Sequence, residues 1–313
     1  MKVLINFFNG FKNTGKVGRM IVFLLVVNFA FSLVLAVPMY HSLQDSFGQS
    51  LVGERMAGGF DYLWWEEFRD QAEGLEQTFN PSIIGKGAIL NNLEGLIQLR
   101  VFDLPPVVLV FGFFYIFLHT FLAGGILYIF QKSDRRFSLK NFFKGAGSTF
   151  FRFLLLMLIS WLFFLFIGQV VKSGLDSVLN NVRETAFSEI TPFYLGLAFA
   201  AVVLFLFLFI QMVFDYGRIK IVLEDRRDVL TAATGAFGFV FRHLGSTLGL
   251  FTLLFLVQVI FTLFYILIQG LIPQSSFPGV LAAFLFQQIF IFGLIWIRCW
   301  LYSSQMELYR YMK

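Results

Sequence analysis

The chain has 313 residues, of which 58% are hydrophobic and 14% are charged. A soluble globular domain carries about 25% charged residues, so a protein whose whole surface faces water is excluded. The net charge of +5 alone would allow a nucleic-acid partner, but the distribution of the basic residues along the chain speaks against one. The single cysteine, Cys299, excludes an intrachain disulfide and a cysteine-rich metal site.

Six apolar stretches are each long enough to cross a bilayer as an α-helix, which needs about 20 apolar residues. They predict an all-α membrane protein that forms a single polytopic membrane domain over residues 1–313. Phenylalanine, with 45 residues, supplies much of the bulk expected to face lipid and to fill gaps between helices. The six stretches are residues 20–40, 106–130, 153–171, 193–214, 247–269 and 279–300.

The segments outside these stretches are sorted by charge. The two chain ends and the segments after the second and fourth stretches hold 18 of the 24 basic residues, and the other three segments hold 13 of the 19 acids. Basic residues are retained on the cytoplasmic side of membranes, where they face anionic lipid. We therefore expect a multi-pass protein with both termini in the cytoplasm, with membrane lipids as partners and no nucleic acid.

Residues 41–105 form the largest soluble segment, an acidic extracytoplasmic helical insertion with ten acids and four basic residues. Its apolar positions predict two or three short helices, and Trp64 and Trp65 suit the membrane interface. One interpretation is an acidic cap on the helix bundle; the other is a docking surface for another membrane or extracytoplasmic protein. The first apolar face comprises Trp64, Trp65, Phe68, Ala72 and Leu75, beside the acids Glu66, Glu67, Asp70 and Glu73, and the second comprises Ile89, Leu93, Leu96 and Ile97.

Two of the basic segments share a sequence pattern that predicts an internal repeat. Ser138 and Asp228 follow its arginines as candidate helix N-caps. Convergence is the alternative, because any segment on the inner leaflet favours basic and aromatic residues. The pattern reads Asp134-Arg135-Arg136, Gly145-Ala146 and Phe151-Arg152 before the third stretch, and Asp225-Arg226-Arg227, Gly235-Ala236 and Phe241-Arg242 before the fifth.

Each pattern contains an amphipathic helix that we call an elbow. Its apolar face is expected to enter the headgroup boundary, and the chain is then expected to turn into the next span at a glycine-bearing corner. The N-terminus resembles a weaker third copy, so we predict three units of elbow, outward span and inward span. The predicted apolar faces are Leu4, Phe7, Phe8 and Phe11; Leu139, Phe142, Phe143, Ala146 and Phe150; and Leu230, Ala233, Phe237 and Val240. The residues expected to contact inner-leaflet lipid or stabilise this side are Arg135, Arg136, Lys140, Lys144, Arg152, Arg226, Arg227 and Arg242.

The stretch RIKIVLEDRR at residues 218–227, which leads into the third elbow, carries a resemblance. It is similar to the elbow region of a group of six-span bacterial membrane proteins, whose best-known relative is the membrane domain beside some glycerophosphoryl diester phosphodiesterases. The resemblance covers residues 190–300 and rests on the hydropathy layout. It implies a bacterial inner-membrane setting and a link to lipids. No phosphodiesterase activity is expected, because the soluble barrel that carries it has no counterpart here.

Few polar residues lie at membrane depth, where they are costly and therefore candidates for function. His119, Gln258 and Gln287 or Gln288 are predicted at similar depth and could form an intramembrane polar cluster. Hydrogen bonds that tie helices together are the plain interpretation, and a polar path for a small solute or lipid headgroup is the alternative. Candidate ion pairing near the inner side involves Asp215, Arg218 and Arg298, of which Asp215 and Arg218 have the i, i+3 spacing that permits a pair.

Catalytic motifs such as H-E-x-x-H, G-x-S-x-G and the P-loop do not occur in the sequence. His41 and His243 are expected on opposite sides of the membrane, so they cannot share a site. We therefore predict a non-enzymatic integral membrane protein without cofactor or metal, which acts as a lipid- or partner-binding accessory module. The alternative is a small membrane transporter with a polar path at His119, Gln258 and Gln287.

Overall fold

The computed structural model describes residues 2–48, 51–52, 55, 61–79, 105–132, 136–273 and 276–313, and these contain helices and no strand. A π-helical segment, Ile167–Lys172, joins α5 to α6 without a break, and a 3-10 helix, Gly74–Thr78, follows α3. The α-helices are α1 (Lys2–Gly15), α2 (Gly18–Phe47), α3 (Tyr62–Gln71), α4 (Pro106–Gln131), α5 (Leu139–Phe166), α6 (Ser173–Thr185), α7 (Ile190–Glu224), α8 (Val229–Arg242), α9 (Leu244–Gln269) and α10 (Phe277–Met312).

Six helices in the described residues are long and apolar enough to cross a membrane: α2, α4, the continuous α5–α6 helix, α7, α9 and α10. Each contains one predicted stretch, so the prediction of an all-α membrane protein with six spans is confirmed. Several of them extend well beyond the predicted stretch: the α5–α6 helix continues beyond residue 171 to Thr185, α7 beyond residue 214 to Glu224 and α10 beyond residue 300 to Met312. The thickness of the hydrocarbon layer sets the length of an apolar stretch. A helix, in contrast, continues beyond that layer wherever packing on neighbouring helices stabilises it.

The helix ends follow from local chemistry. Pro106 begins α4, where its missing N–H has no helical partner in any case. Asp61 caps α3 by accepting a hydrogen bond from the backbone N–H of Trp64 at 3.2 Å. Asp225 ends α7 in the left-handed conformation, with φ of 47°, which a short polar side chain tolerates better than a bulky one.

The chain divides into two compact units, which are described separately. The terminal unit comprises Met1–Val17, His119–Leu253 and Trp300–Lys313, and therefore includes both ends of the sequence. The loop unit comprises Gly18–Leu118 and Leu254–Cys299, and includes the described part of the acidic insertion.

The last turns of α10 lie at the core of the terminal unit. One side of this segment packs on α1, where the indole Nε1 of Trp300 donates a hydrogen bond to the carbonyl oxygen of Phe7 at 2.8 Å. The two helices approach closely at Gly10, since a Cβ there would lie 2.8 Å from the Cα of Ser304. The opposite side meets α8, where the rings of Tyr309 and Phe239 are 4.6 Å apart. The burial of this segment was not expected from the sequence, in which residues 301–313 lie beyond the last predicted span.

Small residues also bring α4 and α5 together in the terminal unit. A Cβ on Gly125 would lie 2.6 Å from the ring of Phe142, and a Cβ on Gly145 would overlap Cβ and Cγ of Tyr128. The contact is reciprocal, because each helix offers a glycine to an aromatic side chain of the other. Such exchange of small and large residues lets helices pack at short distance inside a membrane, where lipid supplies no hydrophobic drive for association.

The loop unit is held by aromatic contacts between its spans. The rings of Phe31 on α2 and Phe111 on α4 lie 4.4 Å apart. Tyr265 on α9 stacks on Phe290 of α10 at 4.0 Å, and Phe261 fits against Gly293. The abundant phenylalanine of the sequence therefore serves helix packing as well as the lipid-facing surface.

The described part of the acidic insertion has a small core of its own. Trp64 and Phe68 on α3 are buried with Val52, and Phe47 at the end of α2 packs on them. Trp64 therefore lies in a local core that the end of α2 helps to cover, and its Nε1 donates to Ser46 Oγ at 3.2 Å. The acids Glu66, Glu67, Asp70 and Glu73 are exposed, as expected, and the face predicted around Ile89, Leu93, Leu96 and Ile97 lies outside the described residues.

Candidate functional site

Helix α1 is amphipathic with its polar side turned inwards. Its buried residues are Asn6, Gly10, Asn13 and Thr14. Its large apolar side chains are at the surface, with exposed fractions of 52% for Leu4, 47% for Ile5, 63% for Phe8 and 48% for Phe11, whereas Phe7 is half-buried against Trp300. A protein-facing helix of a soluble protein has the reverse arrangement. The apolar face of α1 thus requires a non-aqueous environment outside this unit.

The elbow predicted at the start of α5 differs from α1 in two ways. Helix α5 runs unbroken from Leu139 to Phe166, so the expected corner between elbow and span is absent. Its apolar face is only partly covered by the protein: Phe142 and Ala146 are fully buried, whereas Leu139 is 50% exposed and Phe143 is 48% exposed although its ring lies 6.1 Å from that of Phe121 on α4. Helical periodicity identifies the apolar face of a helix, but it does not show whether protein or lipid contacts that face.

Helix α8 is a separate helix that ends at Arg242, and the single residue His243 separates it from α9. Its predicted apolar face also packs on the protein: Ala233 and Val240 are buried, and the ring of Phe237 lies 5.4 Å from Phe163. Leu230 is the member of this face that is exposed. Of the three predicted elbows, α1 is the one whose predicted apolar face is mostly exposed.

The two predicted N-caps differ in their chemistry. Asp228 accepts hydrogen bonds from the backbone N–H groups of Leu230 and Thr231 at the start of α8. The hydroxyl of Thr231 also donates to this carboxylate, and the pKa of Asp228 is held below its usual value chiefly by that bond. Ser138 occupies the N-cap position of α5, but its side chain makes no capping hydrogen bond.

Two of the predicted inner-leaflet arginines are engaged in contacts within the protein. Arg152 on α5 forms a 2.9 Å ion pair with Asp225 and donates to the carbonyl oxygen of Arg226. Arg226 in turn forms a 2.8 Å ion pair with Glu224. For these two residues the structural interpretation is therefore favoured. The other members of the set that the structure describes are exposed: Arg136, Lys140, Lys144, Arg227 and Arg242; Arg135 lies outside the described residues.

Glu224 connects the end of α7 to the C-terminal end of the chain. Its carboxylate, with a side chain 9% exposed, accepts a hydrogen bond of 2.6 Å from the hydroxyl of Tyr309 and pairs with Lys313 at 2.8 Å and with Arg226. Sequence reasoning did not identify this hub, because Tyr309 and Lys313 are far away in the chain and neither has a distinctive local pattern.

Asp215 and Arg218 form the ion pair that their spacing permits, with Arg218 Nη1 3.0 Å from Asp215 Oδ1. Asp215 is fully buried, and Arg218 also donates to the hydroxyl of Tyr302 on α10 at 3.2 Å. Arg298, the third residue of this candidate set, is half-buried and belongs to the loop unit. The pair links α7 to the buried end of α10.

The polar residues predicted at membrane depth are mostly at the protein surface. His119 on α4, Gln258 on α9 and Gln287 on α10 are exposed, and Gln288 is half-buried. Within the loop unit, Gln258 and Gln287 differ in depth: Phe261 packs on Gly293 and Tyr265 on Phe286, so Gln287 is level with residue 264, about 9 Å from Gln258 along the axis.

A polar contact at membrane depth that the sequence did not indicate joins α2 and α4. The hydroxyl of Tyr115 donates to Asn28 Oδ1 at 3.2 Å, while the Asn28 amide donates to the carbonyl oxygen of Leu24. Asn28 and Tyr115 are uncharged, and a hydropathy average over a span hides single polar residues. This is why the contact between them was not predicted.

Among the described residues, no group of three or more His, Cys, Asp or Glu is placed to hold a metal ion. Cys299 is buried. Comparison of the chain with known proteins gives no match to a family model, to a curated protein or to a solved structure. The resemblance to the phosphodiesterase-associated membrane domain therefore stays a prediction.

Proposed function

We propose that this chain is a non-enzymatic multi-pass protein of the inner membrane, with both termini in the cytoplasm, that acts as an accessory module by binding inner-leaflet lipid. The charge sorting along the sequence supports this orientation, since 18 of the 24 basic residues fall on the side that carries α1.

The exposed apolar face of α1 is the observation that carries the proposal. The large apolar side chains of Leu4, Ile5 and Phe8 are exposed while the polar face of the helix is buried on α10. Phe11 is 48% exposed and also contacts the ring of Trp300 on α10 at 4.9 Å. Burial of one such side chain contributes about 1.5–3 kcal/mol. The headgroup boundary of a bilayer offers that burial, with the apolar face inserted and the flanking lysines in contact with water.

The test is lipid retention by the purified full-length chain. Native mass spectrometry after mild detergent extraction is expected to show bound phospholipid on the unaltered protein and fewer lipids on the double variant Leu4→Gln/Phe8→Gln. The control is Leu51→Gln/Leu63→Gln, which removes two exposed apolar side chains from the acidic insertion and should leave lipid retention unchanged. Absence of bound lipid on the unaltered protein, or equal loss in both variants, would contradict the proposal.

A transporter is the second candidate, and one observation in the loop unit favours it. Gln258 is exposed although Leu254 and Tyr265, on the same side of α9, are buried. An exposed amide on an otherwise packed side of a span is suited to contact a small polar solute. Gln258→Leu and His119→Ala are expected to abolish uptake into proteoliposomes if such a path is used; uptake of every tested solute unchanged in both would exclude this candidate.

A further inference from the structure

We propose that the surface formed by the exposed side of α1 binds anionic phospholipid, with Lys12 and Lys16 as the residues that contact the headgroup phosphates. This inference rests on the proposed function, because it names the class of lipid that the same helix would bind.

The first step is the arrangement of side chains around α1. Phe8 and Lys12 are four residues apart on α1, so an exposed phenyl ring and an exposed lysine lie along one stripe, and the exposed Lys16 follows in the turn directly after the helix. The buried stripe with Gly10 and Asn13 lies on another side. The helix therefore presents an apolar and a basic surface next to each other, which is the order of layers from hydrocarbon to phosphate in a leaflet.

The second step is the absence of competing acids. Helix α1 contains no Asp or Glu. The acid that approaches it, Glu307, accepts from Asn13 at 3.5 Å on the buried side and is paired with Arg310 at 3.1 Å. No hydrogen bond or ion pair to a carboxylate engages Lys12 or Lys16 in the described residues, so their charge is available to an external anion.

The third step compares α1 with the basic segment at the start of α5. Lys140 and Lys144 are also exposed, and Leu139 and Phe143 beside them are 50% and 48% exposed, but Phe142 and Ala146 of the same face are buried. Their ammonium groups therefore have fewer exposed apolar side chains beside them than Lys12 has on α1, where Leu4, Ile5, Phe8 and Phe11 are exposed. A long, flexible lysine reaches phosphate best when its stem lies along such an apolar surface.

A zwitterionic lipid would bury the apolar side chains of α1 but would not neutralise the charge of its lysines. A lysine near an anionic surface gains about 1 kcal/mol, which corresponds to roughly a five-fold change in affinity. Loss of both lysines should therefore weaken retention of anionic lipid about 25-fold at low salt. The preference should also fall as sodium chloride is raised, because exposed charges are screened.

The experiment uses the full chain in nanodiscs of phosphatidylcholine that contain one quarter phosphatidylglycerol. Native mass spectrometry is expected to show phosphatidylglycerol enriched on the unaltered protein and the enrichment lost in Lys12→Gln/Lys16→Gln. Lys140→Gln/Lys144→Gln removes the same charge and should keep most of the enrichment. Thermal unfolding of all three proteins verifies that the exposed substitutions leave the fold intact.

The outcomes distinguish the inference from the proposed function. Equal retention of both lipids by the unaltered protein would overturn the inference while leaving lipid binding in place, and no retained lipid of either kind would overturn both. Equal loss in the two lysine variants would overturn the assignment to α1. Unchanged enrichment in Lys12→Gln/Lys16→Gln would show that α1 does not select the lipid.

Discussion

Gly145→Ala is expected to destabilise the protein by about 1–3 kcal/mol, which thermal unfolding in detergent would show as a lower midpoint. The added methyl group would overlap Cβ and Cγ of Tyr128, atoms that a change of side-chain rotamer displaces little. Relief requires α4 and α5 to move apart, and this would also loosen the contact between Gly125 and Phe142.

Two other glycines serve as controls. Gly147, two residues further along α5, has open space around its Cα, so Gly147→Ala should stabilise the helix by about 0.5–1 kcal/mol. Gly235 occupies the position in α8 that corresponds to Gly145 in the sequence repeat, but a Cβ there meets the far end of the flexible Lys220 side chain, so Gly235→Ala should be nearly neutral. Similar losses for Gly145→Ala and Gly235→Ala would contradict this account of the α4–α5 contact.

Arg218→Met is expected to cost about 3–5 kcal/mol, because it leaves the fully buried carboxylate of Asp215 without the cation that lies 3.0 Å away. The change also removes the hydrogen bond from Arg218 to Tyr302 and so weakens the link between α7 and the end of α10. Unfolding midpoints in detergent, with the same protein in native membranes as a check on expression, measure the loss.

The double variant Asp215→Leu/Arg218→Met separates the cost of removing the cation beside a buried carboxylate from the loss of packing. Apolar residues of similar size often replace a buried ion pair at little cost, so the double variant should recover most of the stability lost in the single one. Lys172→Met, which breaks the more exposed Lys172–Asp176 pair, should change the stability by less than about 1 kcal/mol. A double variant as unstable as Arg218→Met would show that packing, and not the loss of the ion pair, is responsible.

The features that the sequence predicted well are those that depend on nearby residues. The six spans follow from apolar length, the Asp215–Arg218 pair from i, i+3 spacing, and the buried face of α3 from helical periodicity. The cap formed by Asp228 is equally local.

The features that sequence reasoning missed depend on partners distant in the chain. The indole of Trp300 bonds to Phe7 across 293 residues, and the Tyr309 hydroxyl reaches Glu224 across 85. No local pattern indicates which helix will cover a given face, so the predicted faces of α5 and α8 were assigned to lipid although they pack on protein. The sequence could not show that the apolar face of α1 is exposed, because this depends on the packing of α10 against the opposite, polar face.

The position of α10 has a consequence for synthesis of the chain. Asn13 and its partner Glu307 are 294 residues apart, so at 5–20 residues per second the ribosome completes α1 about 15–60 s before it completes the helix on which α1 packs. During this interval the bilayer surface is the place where Leu4, Phe8 and Phe11 can be shielded from water. The nascent chain would therefore rest on the membrane through α1 first, and α10 would later dock against the polar side that α1 has kept free of lipid.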